Sequence, residues 1–301
     1  MKYIKYLFSI RWLSFYFQRL FLQKPIREIV SKLVVTALRI VRRHHKMVSP
    51  ESNGVTLQSK GILFLDPSFS KDQLDSLSKY FKEKEVYDPY ASEARYFPIP
   101  LDGALQKFHI AHHRPEDVLK APYLLQFANN PYIIGIAEEF LGTKPTIGYM
   151  AAWWSFPTGL GAQHAENFHR DVDDWKFLKL FIYLSDVGAD SGPHVYIQES
   201  ASSKFARGSI RRFTDEEVLS VFGEDKKKVI QGEAGSAFFE DTFGLHKGQP
   251  VRKGNRLVAQ VVYSLSALPY SPKRPLLTME SLDTPFDFDP WINRVYLFSR
   301  H

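Results

Sequence analysis

The hydrophobic positions divide the chain into a first part with helical spacing and a second part with short strand-like runs. Leu74, Leu77 and Phe81 recur at the spacing of one helix face. Two further segments begin with proline, which is favoured in the first helical turn, and Thr214 with Glu217 gives the pattern of a capping box. The helices that these signals predict cover residues 71–84, 115–129, 131–141 and 215–222.

From Thr146 onward, short runs of apolar and β-branched residues alternate with turn-forming residues, which is the pattern of strands. Residues 47–60 are polar, and we interpret them as a linker. Helices followed by many short strands predict an α+β chain with a closed or sandwiched antiparallel β core. The predicted strands cover residues 61–65, 146–156, 163–169, 176–185, 194–199, 226–231, 235–240 and 256–266.

The first 49 residues differ from the rest in charge and in aromatic content. They contain eleven Lys or Arg and one acid, Glu28, for a net charge of +10, whereas the remainder carries −4. Pro25 separates two predicted helices, 3–23 and 26–44. We therefore divide the chain into a basic aromatic helical arm, residues 1–49, and a domain of residues 50–301 whose β core covers about 145–268.

The composition excludes several classes of protein and leaves three interpretations of the arm. The chain has no cysteine, so disulfides, thiol nucleophiles and cysteine-based metal sites are excluded. No uncharged run approaches the ~20 residues that cross a bilayer, and charges interrupt the apolar stretch that a secretory signal needs. The arm packs on its own domain, lies on an anionic membrane surface, or targets the protein to an organelle, for which the lack of acids is suitable although bulky aromatics replace the usual Ser. We predict a cytoplasmic protein, in contact with a membrane at most peripherally, with no nucleic-acid partner.

A histidine and an aspartate two residues apart, His169 and Asp171, carry the strongest chemical signal. Side chains two apart on a strand point to the same face. A second histidine, His246, follows the predicted strand 235–240 in a glycine-flanked loop. Two imidazoles and one carboxylate on one side of a metal leave three positions open, as in non-haem Fe(II) oxygenases. His164 and Glu166 form a competing pair with the same spacing.

Arg256 opens the predicted strand 256–266, ten residues after His246. A buried guanidinium is costly unless it meets an anion, and its planar fork suits a carboxylate. Trp175 lies close to Asp171, so it either lines the same pocket or belongs to the core. Lys179 interrupts an apolar run and is either a second contact for an anion or an edge residue, of which we favour the edge residue. His194 is interpreted as a turn residue that is solvated or supports the site without acting in catalysis. The remaining histidines have no partner at ligand spacing and are assigned to the surface: His44, His45, His109, His112, His113 and His301.

The segment from Gly161 to Ser264, about a third of the chain, resembles the phytanoyl-CoA dioxygenase family of Fe(II)/2-oxoglutarate oxygenases. The resemblance rests on the order and spacing of His169-x-Asp171, Tyr183-Leu184-x-Asp186-Val187, Ser191-Gly192-Pro193-His194, Gly235-Ser236-Ala237-Phe238-Phe239, His246 and Arg256. It implies a double-stranded β-helix core, of the jelly-roll or cupin-like type, with N-terminal and flanking helices. One departure is that Ile197-Gln198-Glu199-Ser200 replaces the Pro-Gly-Ser-His that relatives often carry.

The resemblance also implies an activity and a role for each matched residue. His169, Asp171 and His246 would hold Fe(II), and Arg256 would bind the distal carboxylate of 2-oxoglutarate, with Trp175 as a candidate wall of that pocket. The implied reaction uses O₂ to hydroxylate a C–H bond of a small-molecule or lipid-like substrate, with release of succinate and CO₂. Asp171 argues against a halogenase, which needs its position vacant. Two alternatives stay open: a non-catalytic jelly-roll binding or regulatory protein with a vestigial metal site, and a membrane-surface scaffold that uses the basic arm.

Overall fold

Antiparallel strands form the centre of the structure, a computed structural model that describes residues 9–42, 52–66, 69–102, 104–205, 210–282 and 286–298. The strands are β1 (Ile62–Leu65), β2 (Val86–Tyr87), β3 (Tyr96–Phe97), β4 (Ile110–His113), β5 (Thr146–Ser155), β6 (Phe177–Tyr183), β7 (His194–Ile197), β8 (Lys227–Ile230), β9 (Ala237–Glu240), β10 (His246–Gly248), β11 (Arg256–Ser264), β12 (Leu277–Thr278) and β13 (Leu297–Phe298). Eight form one sheet in the order β1-β9-β6-β11-β5-β4-β2-β3, and three form a second sheet in the order β10-β7-β8. Every neighbouring pair in these two sheets is antiparallel.

The large sheet is covered on both faces, which explains the nearly continuous apolar sequence of its central strands. On β6, Leu178, Leu180 and Ile182 pack into the core shared with the helices. The alternate residues Phe181 and Tyr183 join a second cluster that includes Tyr196 and Ile230 of the small sheet. The two sheets therefore enclose a core of their own, as the predicted double-stranded β-helix requires.

Helices cover the outer face of the large sheet and the N-terminal side of the chain. They are α1 (Ile10–Gln18), α2 (Lys24–Arg42), α3 (Ser52–Lys60), α4 (Lys71–Lys82), α5 (Pro115–Leu119), α6 (Leu124–Ala128), α7 (Pro131–Leu141), α8 (Asp215–Phe222) and α9 (Pro290–Asn293). The predicted capping box of α8 is present: Thr214 Oγ1 accepts from Glu217 N at 3.2 Å, and Thr214 N donates to Glu217 Oε2 at 2.8 Å. Among the helices of the described ranges, none is both long enough and apolar enough to cross a membrane.

Three predicted elements differ in the structure. Residues 52–60 of the predicted linker form α3, whose Leu57 is fully buried. The predicted helix 115–129 is broken, because Pro122 cannot donate a backbone hydrogen bond and Tyr123 takes a left-handed conformation with φ 63°. Residues 163–169 contain a short 3₁₀ turn, His164–Glu166, instead of a strand. Strands β2, β3, β4, β10, β12 and β13 were not predicted, since five of the six have only two or three residues.

The N-terminal arm contacts the domain through buried polar groups. Arg27 of α2 donates to Gln18 Oε1 at 3.0 Å and to the carbonyl of Asp174. Gln18 and Arg19 both donate to the carbonyl of Val172, at 3.4 and 3.3 Å. Burial lowers the pKa of Arg27 to about 10, and the guanidinium stays charged at neutral pH. Residues 3–8 and 43–44 of the two predicted arm helices lie outside the described residues.

Tyr196 of β7 is held between two glycines at the base of the small sheet. Its hydroxyl donates to the carbonyl of Asp241 at 3.2 Å, and its side chain is fully buried. A Cβ atom at Gly61 would lie 1.9 Å from this hydroxyl, and one at Gly244 would lie 2.2 Å from it. Neither position has room for a side chain while the ring stays in place. The loop before His246 therefore has a fixed path.

We expect Gly244→Ala to lower the free energy of unfolding by about 1–3 kcal/mol, because an added methyl overpacks against a rigid buried ring. Urea denaturation measures the effect. Gly188→Ala is the matched control, since a Cβ there meets nothing within 4 Å; its change should stay within about 0.5 kcal/mol. Equal stability of the two variants would contradict the close packing around Tyr196.

Candidate metal centre

His169 and His246 meet because their backbones pair directly. His169 N donates to His246 O at 2.9 Å, and His246 N donates to His169 O at 3.0 Å. Two residues on, Asp171 N donates to the carbonyl of Thr242 at 2.9 Å. The segment 169–171 is thus joined to β10 by an isolated bridge at His246 and to the loop before β10 at Thr242. This pairing brings three predicted ligands from two distant parts of the sequence to one place.

The side-chain donor atoms of His169, Asp171 and His246 all lie within 4.8 Å of one another. His169 Nε2 is 3.6 Å from Asp171 Oδ1, and His246 Nε2 is 3.2 Å from Asp171 Oδ2. Each histidine has its Nδ1 atom 3.0 Å from a backbone carbonyl two residues earlier, that of Asn167 or Gly244. A proton on Nδ1 satisfies that contact, so both Nε2 lone pairs are turned toward the carboxylate, as in metal sites.

The protonation states at the centre suit a metal. Burial lowers the pKa of His169 well below its usual value, and the neighbouring His246 adds to this, although Asp171 opposes it. Burial raises the pKa of Asp171, but the charge of Lys179 and the two imidazoles outweigh it and hold that pKa well below its usual value. A neutral imidazole and an ionised carboxylate are the ligand forms of these side chains.

Lys179 is a buried ion-pair partner, not the edge residue that we predicted. Its strand β6 lies between β9 and β11 in the large sheet. Its ammonium is 2.6 Å from Asp171 Oδ2 and 2.9 Å from Asp173 Oδ2. Burial lowers the pKa of Lys179, but the two carboxylates outweigh it and raise that pKa above its usual value. One cation therefore balances part of the charge of two carboxylates.

Arg256 is buried at the start of β11 without an acidic partner among the described residues. Its Nη2 atom donates to Ser155 Oγ at 3.1 Å, while its Nε atom is buried with no hydrogen-bond partner. The guanidinium lies over β10, since a Cβ at Gly248 would be 3.5 Å from Arg256 Nη2. Gly248 follows His246 by two residues, which is about 7 Å along a strand. A buried cation with free donors therefore lies close to the histidine cluster.

His194 and Glu240 form a buried pair beside His246 that the sequence analysis did not identify. His194 Nε2 is 2.8 Å from Glu240 Oε2, and the His194 ring stacks on His246 with centroids 5.6 Å apart. Burial lowers the pKa of His194 to about 3 and raises that of Glu240 to about 8, so both groups are neutral at pH 7. His194 is thus a buried strand residue rather than a turn residue. The sequence contained one signal for this pair: Glu240 directly follows Phe238 and Phe239 in a strand that was predicted to be buried, and a buried carboxyl group needs a polar partner.

Trp175 lies away from Arg256. In the register of β6 and β11, Phe177 is opposite Ser264, eight residues along the strand from Arg256, which is about 26 Å. Trp175 precedes Phe177 and packs against Phe17, Phe21 and Arg27 of the arm. We therefore leave Trp175 out of the proposed cosubstrate site.

The competing pair, His164 and Glu166, does not join the cluster. His164 stacks on Tyr90 at 3.9 Å, and Glu166 Oε2 is 2.8 Å from His109 Nδ1. Three histidines that we assigned to the surface are at least partly buried. His109 has this ion-pair contact, His113 Nε2 accepts from Trp154 Nε1 at 3.1 Å, and His112 stacks on Trp153. His44, His45 and His301 lie outside the described residues.

No protein-family model matches the chain, and no curated protein matches it, but solved structures do. The non-heme alpha-ketoglutarate-dependent epimerase SnoN from nogalamycin biosynthesis aligns with a TM-score of 0.54 at 14% identity, covering 79% of this chain and 95% of SnoN. EctD from S. alaskensis in its apoform aligns with a TM-score of 0.50 at 14% identity, covering 83% of this chain and 88% of EctD. EctD has also been solved with bound Fe, at a TM-score of 0.49 and 16% identity over the same shares of both chains.

These matches confirm the predicted fold. The chain has the α+β double-stranded β-helix fold of phytanoyl-CoA-dioxygenase-like, Fe(II)/2-oxoglutarate-dependent oxygenases, and within that fold it carries a candidate His-Asp-His metal site. At 14% identity the likeness establishes the fold, so ligand roles and substrate rest on the residues of this chain.

We expect His169→Ala and Asp171→Ala each to abolish stoichiometric metal binding, because a three-ligand site loses one of its donors. Anaerobic titration with Fe(II), or with Co(II) followed by its visible absorption, measures this. His164→Ala/Glu166→Gln is the control and should bind metal like the parent protein. If His169→Ala retained metal and the control lost it, the metal ligands would instead be His164 and Glu166.

Proposed function

We propose that this chain is an Fe(II)- and 2-oxoglutarate-dependent dioxygenase that hydroxylates a C–H bond of a small-molecule or lipid-like substrate and releases succinate and CO₂. The observation that carries the proposal is the combination of a His-Asp-His cluster and a buried Arg256 that forms no ion pair with a described residue, in one barrel of the oxygenase fold. A site that only binds a structural metal would not need the buried guanidinium of Arg256 beside it.

His169, Asp171 and His246 are the proposed iron ligands. Their donor types and their spacing suit Fe(II). A facial set of three protein ligands would leave coordination positions open for 2-oxoglutarate and O₂. The bound metal would supply the oxidising chemistry, which no side chain of the site can supply by itself. The Nδ1 contacts of the two histidines to backbone carbonyls hold the rings in the ligand orientation. Lys179 fixes the carboxylate of Asp171 through one oxygen and leaves the other available.

Arg256 is the proposed partner of the distal carboxylate of 2-oxoglutarate. Its guanidinium has one side-chain acceptor, Ser155, and therefore keeps donors for an anion. A bidentate, charge-assisted contact satisfies a buried arginine better than water or a single hydroxyl. The separation of about 7 Å between Gly248, under the guanidinium, and His246 matches a short dicarboxylate that spans from metal to arginine.

The substrate side of the barrel is aromatic. Trp153 and Tyr149 alternate with Ala151 on the face of β5 that also carries Ser155, and His112 of β4 stacks on Trp153 with ring centroids 5.5 Å apart. Burial lowers the pKa of His112 to about 4, so its ring is neutral at pH 7. A neutral aromatic wall supports an apolar or amphipathic substrate. The proposed partners are this substrate and, through residues 1–49, an anionic membrane surface reached from the cytoplasm.

A non-catalytic binding protein with a vestigial site is the second candidate. One observation favours it: the Lys179 ammonium already pairs with Asp171 Oδ2, so an incoming metal must share this carboxylate with a cation. Metal titration separates the two candidates only in part, because both bind iron. Turnover of 2-oxoglutarate separates them fully.

The test is to load the full chain with Fe(II) without oxygen, add 2-oxoglutarate, and then admit O₂ while measuring succinate and CO₂. We expect both products in equal amounts, with a rate that rises when a true substrate is present. Iron binding without succinate, across a broad panel of amphipathic and small-molecule substrates, would favour the non-catalytic candidate. Omission of iron is the control and should abolish succinate.

We expect Arg256→Ala to raise the 2-oxoglutarate concentration for half-maximal succinate formation roughly ten- to a hundredfold, since a charge-assisted contact contributes about 1.5–3 kcal/mol. Metal affinity should stay within about twofold. Arg256→Lys should restore only part of the affinity, because an ammonium cannot form the planar fork. Arg252→Ala, at an exposed position nearby, is the matched control. An unchanged 2-oxoglutarate dependence in Arg256→Ala would remove this residue from the cosubstrate site.

A further inference from the structure

The two helices of the arm each expose an apolar stripe to solvent. On α1, Ile10, Leu13 and Phe17 follow one another at helical spacing, and Leu20 continues the row; Ile10 is 83% exposed and Leu20 is 73% exposed. The inner face of the same helix carries the buried Phe15 and Gln18. Soluble proteins seldom expose contiguous apolar patches, so such a row marks a contact surface.

Helix α2 repeats the arrangement over a greater length. Ile26, Ile29, Leu33 and Ile40 are exposed at spacings of three, four and seven residues, and Leu33 is 67% exposed. Its opposite side carries Val34, Val35 and Leu38, which pack against the core. The outer row is therefore not the side that attaches the helix to the domain. The two rows together are called the outer stripes below.

The charge around the outer stripes selects the partner. Residues 1–49 carry a net charge of +10, with Glu28 as their single acid. Arg19 and Arg27 are turned toward the domain, but Lys32 and Arg39 are exposed on α2 between the stripe residues. A second copy meeting the same face through a two-fold axis would bring like charges together, which is destabilising. A partner for this face must therefore offer negative charge to the basic side chains and an apolar region to the stripes. An anionic bilayer offers both, in its headgroups and its acyl chains.

We propose that the outer stripes of α1 and α2 form a docking surface for an anionic phospholipid bilayer, with both helices lying in the plane of the headgroups. The apolar side chains of the stripes enter the acyl boundary, and the exposed basic side chains, such as Lys32, remain with the phosphates. The proposal does not depend on the proposed oxygenase activity, because neither helix contributes a metal ligand or a contact to Arg256.

The docked orientation places the metal centre near the bilayer. The inner side of α1 donates two hydrogen bonds to the carbonyl of Val172, the residue after Asp171. One helix diameter, about 10–12 Å, therefore separates the outer stripe of α1 from the segment that holds the proposed ligand. An amphiphile dissolved in the membrane is the class of substrate that this orientation would serve.

The test is co-sedimentation of the full chain with vesicles of equal parts phosphatidylglycerol and phosphatidylcholine, compared with pure phosphatidylcholine. We expect at least tenfold stronger partitioning onto the anionic vesicles, which weakens as salt is raised. Leu13→Ser/Leu33→Ser should reduce the partition coefficient at least tenfold. The matched control, Leu160→Ser/Val221→Ser, removes two exposed apolar side chains elsewhere and should leave it unchanged.

Lys32→Glu gives a second measurement that does not alter the apolar rows, and it should weaken binding to the anionic vesicles only. Thermal unfolding of each variant confirms that it is folded. Equal partitioning of Leu13→Ser/Leu33→Ser and the control would overturn the proposal. A second result would also overturn it: in sedimentation velocity without lipid, the parent protein is a dimer and Leu13→Ser/Leu33→Ser is a monomer. The stripes would then be covered by a second copy of the chain.

Discussion

The pair of backbone hydrogen bonds between His169 and His246 is the constraint on which the centre depends. It joins a segment that precedes β6 to one that follows β9, and the Asp171–Thr242 bond extends the pairing by two residues. Because the main chain sets the positions of the α-carbons, the side chains need only choose their rotamers, and the Nδ1 contacts to Asn167 and Gly244 constrain these. The convergence of the three donor atoms is thus a consequence of backbone pairing. Tyr196 packs against Gly244 and so fixes the path of the loop before His246.

Charge in the barrel gives a second physical theme. The buried groups Lys179, Asp171, Asp173 and Arg256 sum to zero, since two cations accompany two carboxylates. A divalent metal alone would leave two uncompensated positive charges in a place of low dielectric, and a dicarboxylate alone would leave two negative ones. The proposed metal and cosubstrate together restore neutrality. In this arrangement each ligand favours the binding of the other.

The fold class and the cluster of candidate ligands could be predicted because their signals are local in the sequence. Spacing of two between His169 and Asp171, a glycine-flanked His246 and a strand headed by Arg256 are visible without any knowledge of contacts. Pairing across the barrel is not local, which is why Lys179 was assigned to an edge, His194 to a turn, and Glu240 to no role. The predicted helix 115–129 was wrong at Pro122 and Tyr123, where a proline in the interior outweighed the apolar pattern. Trp175 was placed near the cosubstrate because it lies close to Asp171 in the sequence. The chain turns toward the arm after Asp171, so sequence proximity did not predict which residues Trp175 contacts.

Gln18 of α1 and the next residue, Arg19, both donate to the Val172 carbonyl and so join the arm to the peptide that follows Asp171. Whatever displaces α1 removes donors from the peptide next to Asp171 and changes how firmly that loop is held. Linkage is reciprocal for binding free energies, so if metal binding stiffens residues 169–171 and thereby changes the affinity of α1 for its partner, docking of α1 would change the metal affinity by the same factor. The peptide that follows Asp171 is therefore the point through which loading of the proposed metal site would reach the N-terminal helix.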